Sequence, residues 1–295
     1  METAKQHRAT SLLFLHLAVL LFGLSGLLGK LIPASALAVT FGRSALAAVT
    51  LALVIRGKQG RWALSGLGGV WPVTLAGLLL AVHWVTFFLA VKESTIAIGL
   101  LAFSTFPMFV TLLEPCFVGG RWQRMDLGVA LRVTVGLILV VPEYRFGSHL
   151  FRGACWGVVS ALTFALLSLW NQRQVHRAGA LALACGQNAV AAVLLLPFVA
   201  AERVVLSPWE WAGLGFLGIV CTAVAHAAFI RSLAGVRAHV AGVVTALEPV
   251  YGIVFAAVLL GEIPSPRTIG GGLIILSVTV AVSAAVSADS GKRQH

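Results

Sequence analysis

The chain has 295 residues, of which 59% are hydrophobic and only 11% charged, and it carries a formal net charge of +11. Soluble domains have about 25% charged residues, so this composition excludes an ordinary soluble enzyme or binding module. The basic excess is spread in small groups between apolar runs, which excludes a nucleic-acid-binding patch and fits topology signals of a membrane protein.

Read in windows of about 19 residues, the apolar runs predict ten membrane spans, at 11–31, 34–55, 71–91, 95–118, 125–141, 152–171, 178–199, 209–230, 238–260 and 267–287. Lys5 and Arg8 precede the first span, and Ala36-Leu37-Ala38 resembles a cleavage site. The apolar run is longer than a signal-peptide core, so it is read as an uncleaved first helix. Lys5, Arg8, Arg56, Lys58, Arg61, Arg121, Arg124, Arg173, Arg177, Arg231, Arg237, Lys292 and Arg293 fall on one side of the predicted topology. The other side has fewer basic residues and most of the loop acids, namely Glu93, Glu143, Glu202, Glu210 and Glu262. The positive-inside bias therefore predicts that both termini are cytoplasmic.

Span two contains Arg43 and span five Arg132. An arginine this deep faces a cavity or pairs with an acid. Arg43 has two readings, a ligand for a substrate carboxylate or a counter-charge for a glutamate. Span three carries His83 beside Trp84, and His16, His226 and His239 also lie in or near spans. A histidine near its ordinary pKa suits proton coupling, while the plainer reading is a helix-to-helix hydrogen bond. In span four, Glu114-Pro115 lies about one turn from the cytoplasmic end, where the carboxylate can snorkel to water. Asn188 and Gln187 in span seven offer hydrogen bonds to a polar solute, and Trp84 and Tyr251 offer rings to an aromatic or cationic one.

The segment Ala223–Glu262 holds the strongest signal. Glu248 sits near the middle of span nine, where a carboxylate costs about 2.5–3.5 kcal/mol on insertion scales. Ala241, Thr245, Glu248 and Gly252 recur at helical spacing and line one small, polar face. Pro249 follows directly and predicts a kink with an unpaired carbonyl one turn earlier. That constellation suits a cation, an ammonium group or a proton; the alternative is a structural ion pair between halves of the molecule. Glycines cluster at Gly23, Gly26 and Gly29, at Gly213, Gly215 and Gly218, and at Gly270, Gly271 and Gly272, which predicts close helix approach or a sliding surface. Cys116, Cys155, Cys185 and Cys221 sit in separate spans without metal-ligand spacing, so they read as buried packing residues.

The offset that puts Pro107 on Pro249 also aligns Phe22 with Phe164, Phe87 with Phe229, Gly119 with Gly261, Gly128 with Gly270 and Leu131 with Leu273. One constant offset across several helices is the mark of an internal repeat. With five spans in each half the repeats are inverted, an architecture that places a substrate site at their interface. The expected fold is an all-α membrane protein with ten transmembrane helices as two inverted five-helix repeats, residues 1–146 and 147–295, around a central cavity. No nucleotide-binding loop, metalloprotease helix or nucleophile elbow is present, so no enzyme activity, cofactor or metal site is expected. Uphill transport would draw on a proton or solute gradient.

The run from Thr222 to Leu276 resembles the second repeat of the EamA-type proteins of the drug/metabolite transporter superfamily, through Thr222, Glu248-Pro249, Gly261-Glu262 and Gly270 with Leu273-Ile274. The first half resembles the family through Phe41-x-Arg43, Ala90, Pro107 and Gly128, while Gly120 and Arg132 depart from its pattern. The resemblance implies alternating access around a central cavity in the inner membrane. It implies export of a small metabolite such as an amino acid or related compound, with multidrug or quaternary-ammonium efflux, or a non-transporting membrane interaction protein, as alternatives. The candidate substrate- or proton-binding residues are Glu248, Arg43, His83, Thr245, Trp84, Tyr251, Glu114 and Asn188, and the expected partners are a small-molecule substrate and the lipid bilayer, with no nucleic acid.

Overall fold

The structure is a computed structural model that describes residues 2–59, 69–118, 124–141, 144–145, 147–236, 238–245 and 247–292. The expectations at Arg61, Gly119, Gly120, Arg121, Glu143, Arg237 and Arg293, and at the side chains of Lys5, Arg8, Arg124, His239 and Lys292, lie outside the described residues.

The helices are α1 (Glu2–Leu31), α2 (Ala36–Gln59), α3 (Val70–Glu93), α4 (Ile96–Phe103), α5 (Phe106–Val118), α6 (Arg124–Val140) and α7 (His149–Ala178). There follow α8 (Ala180–Val199), α9 (Pro208–Gly218), a π-helical segment (Ile219–Val224), α10 (Ala225–Ser232), α11 (Ala238–Thr245), α12 (Glu248–Leu260) and α13 (Pro266–Lys292). Among the described residues, seven helical stretches are long and apolar enough to cross a membrane, and Gly128–Val140, Glu248–Leu260 and Pro266–Val278 are shorter apolar helices. The protein is an all-α, multi-pass membrane protein. Its outer surface displays Leu13, Val49, Leu53, Val193 and Phe198, as lipid contact requires, and backbone polar groups are satisfied within helices because lipid offers no partners. Trp71, Trp209 and Trp211 are exposed near helix starts, where indole rings favour the headgroup layer.

Local chemistry sets the helix ends. Ser207 and Glu210 form a reciprocal capping box at the start of α9, with Pro208 in its first turn, which satisfies donors that the helix itself cannot pair. Gly261 ends α12 in the left-handed region with φ 68°, a conformation glycine adopts without a Cβ penalty.

Two predicted spans are each split into two helices. Span four is α4 and α5, with Ser104 and Thr105 between them, and span nine is α11 and α12, with Leu247 in the gap. The bounds of α11 and α12 repeat those of α4 and α5 at the same offset that puts Pro107 on Pro249. In each pair proline falls in the first turn of the second helix, where its missing N–H costs nothing. The kink expected at Pro249 is thus a full break, and Glu248 begins a new helix.

Packing follows small residues. α7 lies along α3, α8 along α2, α13 along α6, and α1 against α10 and α12. A Cβ on Gly23 of α1 would fall 2.9 Å from Tyr251 Cβ and 3.1 Å from the Glu248 carbonyl oxygen. A Cβ on Gly213, Gly215 or Gly270 would have no neighbour within 4 Å, so only part of the second and third glycine clusters makes an interface, whereas Gly23, Gly26 and Gly29 all meet neighbours. Cys185 and Cys221 are buried as expected, whereas Cys116 and Cys155 are exposed.

At the end of the bundle where α1 gives way to α2, polar contacts tie the helices together. Lys30 pairs with Glu262 at 2.7 Å and donates to the Ser94 carbonyl at 2.9 Å. Glu262 also accepts from the Ile96 backbone N–H at 3.0 Å, and Lys92 donates to the Ile32 carbonyl at 2.8 Å. Ser35 donates to Glu202 at 2.7 Å, and Arg152 meets Glu93 at 3.2 Å.

The α6–α13 contact is the tightest test of this packing. A Cβ on Gly271 would lie 2.5 Å from the Gly136 carbonyl oxygen and 2.6 Å from the Val140 nitrogen, both rigid backbone atoms. Gly271→Ala should destabilise the protein by about 1–3 kcal/mol, read as a lower melting temperature in detergent. Gly270→Ala, with open space around it, should leave that temperature unchanged or slightly raised, because alanine favours the helix.

Candidate functional site

The middle of the bundle holds a pocket lined by Phe22 and Ser25 of α1, Arg43 of α2, Leu80, His83, Trp84 and Phe87 of α3, Phe103 of α4, Phe164 of α7, His226 of α10 and Glu248 of α12.

Arg43 is 1% exposed. A guanidinium so deeply buried persists only when its donors and charge are compensated. The compensation comes from the π-helical segment. There the Thr222 hydroxyl accepts from Arg43 Nε at 2.8 Å while donating to the Leu217 carbonyl at 2.6 Å, and the Cys221 carbonyl accepts from Nη2 at 3.3 Å. The Ala225 N–H that would reach Cys221 in a regular α-helix bonds to Thr222 and Val220 instead, so the wider turn frees a carbonyl for the arginine. Such bulges concentrate at functional sites. Gly218, just before the segment, lets α2 approach: an added Cβ would lie 2.7 Å from Leu46 Cβ. The guanidinium then stacks over the Trp84 ring at 4.0 Å and near Phe88 at 5.2 Å, a cation–π arrangement worth about 2 kcal/mol when desolvated.

His83 is held from α7. Its Nδ1 lies 2.8 Å from the Ser160 hydroxyl and 3.1 Å from the Ser160 carbonyl, and its ring stacks on Phe164 at 4.6 Å. His226 is 1% exposed and meets Trp84 edge-on at 5.5 Å. Asn188 of α8 stands behind it, donating to the Ala184 carbonyl at 2.7 Å and facing His226 Nδ1 at 3.1 Å.

Glu248 is 3% exposed and opens α12. The partial positive charge of a helix N-terminus favours a carboxylate there. Arg43 and Glu248 line the same cavity, yet among the described residues no ion pair joins them and no hydrogen bond takes up the Glu248 carboxylate. The cavity therefore presents separated positive and negative groups between aromatic walls.

Of the candidates from sequence, Arg43, His83, Trp84 and Glu248 line the cavity together. Asn188 acts one step back, through His226. Thr245 is buried at the end of α11 with its hydroxyl bonded to the Ala241 carbonyl at 2.8 Å. Tyr251 is half-buried against α1, Glu114 is half-buried on α5, and neither lines the cavity. Arg132 and His16 are exposed, so neither faces an internal cavity. Sequence reasoning missed Ser25, Ser160 and the Thr222 contact, and it did not foresee the π-helical segment. One signal was available: Phe22 and Phe164, paired by the repeat offset, both line the cavity, and Trp84 and His226 share that offset.

Residues 151–284 match the sequence profile of the EamA-like transporter family. This stretch of the chain is an EamA-like transporter segment. It is 26% identical over 250 residues to the pseudopaline exporter CntI of Pseudomonas aeruginosa (strain UCBPP-PA14), spanning 83% of this chain and 85% of that protein. It is also 26% identical over 287 residues to the uncharacterized transporter YwfM of Bacillus subtilis (strain 168), spanning 92% of this chain and 93% of that protein. A solved crystal structure at 17% identity shares the fold with a TM-score of 0.68, over 94% of this chain and 97% of that one. This EamA-type chain is accordingly a membrane transporter, and the cavity is its candidate site.

The arginine–tryptophan stack gives a direct test. Trp84→Phe keeps a ring under the guanidinium and should retain most of the thermal stability, while Trp84→Leu should cost about 1–2 kcal/mol more through the lost cation–π contact. Melting curves of both variants beside the parent protein decide it.

Proposed function

We propose that this EamA-type protein exports a small amphipathic metabolite, such as an amino acid or a related compound, across the inner membrane by alternating access of its central cavity. The observation that carries this reading is the pair Arg43 and Glu248: two opposite charges buried in one cavity without pairing to each other. Buried charges left apart need a ligand or water to complete them. A metabolite bearing both a carboxylate and an ammonium group, with an apolar body against Phe22, Phe87, Phe103 and Phe164, meets that need. The likeness to a relative named as an exporter supports the direction.

In this reading residues 1–146 and 147–295 are two inverted repeats that rock about the fixed site, as in other transporters with broken helices at mid-depth. The matching breaks before Phe106 and Glu248 support it. A proton or solute gradient supplies the drive. Efflux of quaternary ammonium compounds is the second reading, favoured by the aromatic walls beside Glu248. The buried guanidinium of Arg43 opposes it, since a like charge in the same cavity repels the cation.

Glu248→Gln keeps size and removes charge. If the carboxylate binds an ammonium group or proton, the variant should lose at least about a hundredfold in proteoliposome counterflow while its melting temperature holds. Normal counterflow with normal stability would remove Glu248 from the mechanism. Orientation is checked separately. A cysteine at Lys58 should resist an impermeant thiol reagent added outside cells, and one at Arg203 should react; the reverse pattern would invert the topology.

A further inference from the structure

We propose that Arg43 and His226 together form a carboxylate-binding subsite of the central cavity, with Thr222 and Asn188 as the positioning residues that aim their donors. This deepens the reading of the cavity as a metabolite site and rests on it for the class of ligand.

The direction of the His226 proton follows from three contacts. A carbonyl oxygen only accepts, so the group 2.7 Å from the Ala184 carbonyl must be the Asn188 amide nitrogen and not its oxygen. The same nitrogen lies 3.1 Å from His226 Nδ1, and its second hydrogen points there. Nδ1 is therefore an acceptor. A neutral imidazole carries one N–H, which leaves that proton on Nε2. Nε2 is buried and has no hydrogen-bond partner, although His226 lines the cavity. A buried N–H without an acceptor is costly, and a ligand oxygen removes that cost.

Arg43 brings the charge to the same place. Its Nε is fixed on Thr222, one helical turn before His226, and its Nη2 on the Cys221 carbonyl. Nη1 takes part in neither bond. Trp84 is the common floor, with the guanidinium 4.0 Å above its ring and the His226 ring 5.5 Å away. A cationic fork beside a neutral N–H donor matches an acceptor group with two oxygens and one negative charge. The cavity's own carboxylate, Glu248, bonds to neither donor. Aromatic walls around the subsite select an organic carboxylate over an inorganic anion.

The test uses the full chain in lipid nanodiscs and three probes with a phenyl group to suit the aromatic walls: 3-phenylpropionate, its neutral amide 3-phenylpropionamide, and L-phenylalanine. Calorimetric titration should show both carboxylates binding at least about tenfold more tightly than the amide. His226→Leu, which removes the Nε2 donor but leaves Arg43, should lose at least about tenfold in carboxylate affinity. His226→Gln, which keeps an N–H donor near the Nε2 position, should restore most of it. Nitrogen-15 NMR should place the His226 proton on Nε2 in the parent protein and on a mixture of both nitrogens in Asn188→Leu. If His226→Leu fails to fold, the glutamine variant and the NMR signature carry the test. Equal affinity for carboxylate and amide, no detectable binding of either carboxylate, or a proton on Nδ1 would overturn the proposal. Carboxylate binding with no counterflow of any solute would leave the subsite standing and refute transport. Counterflow that depends on Glu248 without a carboxylate preference would do the opposite.

Discussion

Burial of the Arg43 guanidinium is the constraint on which the centre of this molecule depends. An arginine with almost no exposure inside a membrane bundle is tolerable only if several elements are shaped around it. α2 must come close to the π-helical segment, which Gly218 permits. The segment must widen its turn so that Cys221 has a carbonyl to offer and Thr222 can face inward. α3 must present Trp84 as a platform. The same side chain thus sets the approach of α2 to α9 and the π-helical segment, the local helix type, and one wall of the cavity.

Glu248 solves the opposite problem with different means. Its helix is interrupted before it, so the carboxylate stands at a helix start where backbone N–H groups and the dipole favour negative charge. Gly23 allows α1 to lie directly on this turn, with the Glu248 carbonyl in contact. Each charge therefore has its own local support, and no direct ion pair joins the two. That separation is what makes the cavity chemically useful: a direct ion pair would have filled it and neutralised it.

The polar ring of Lys30, Glu262, Lys92 and Arg152 with its partners joins α1, α3, α7 and α12 at one end of the bundle. These groups are partly exposed, so each pair contributes modestly. Together they hold the ends of elements that also carry cavity residues, namely Ser25 on α1, His83 and Trp84 on α3, Phe164 on α7 and Glu248 on α12.

The sequence by itself determined the membrane class, most helix positions and the family, because hydrophobic length, charge placement and the Glu248-Pro249 motif are local properties that lipid imposes directly. It also marked Arg43, His83, Trp84 and Glu248, since charges and polar rings within apolar runs stand out against their surroundings. Only the tertiary structure decided which of the marked residues meet. Glu114 and Arg132 carry the same kind of signal as Glu248 and Arg43, yet one is half-buried away from the cavity and the other faces outward. Helical periodicity fixes the face of each residue on its own helix, but not which neighbour that face meets. The partners of the buried groups were hidden for a related reason: Thr222, Ser160 and Asn188 act through hydrogen bonds between residues more than 35 positions apart. Such bonds depend on how closely two helices approach, and that distance is set by glycines and a π-turn whose effect exists only once the bundle has packed.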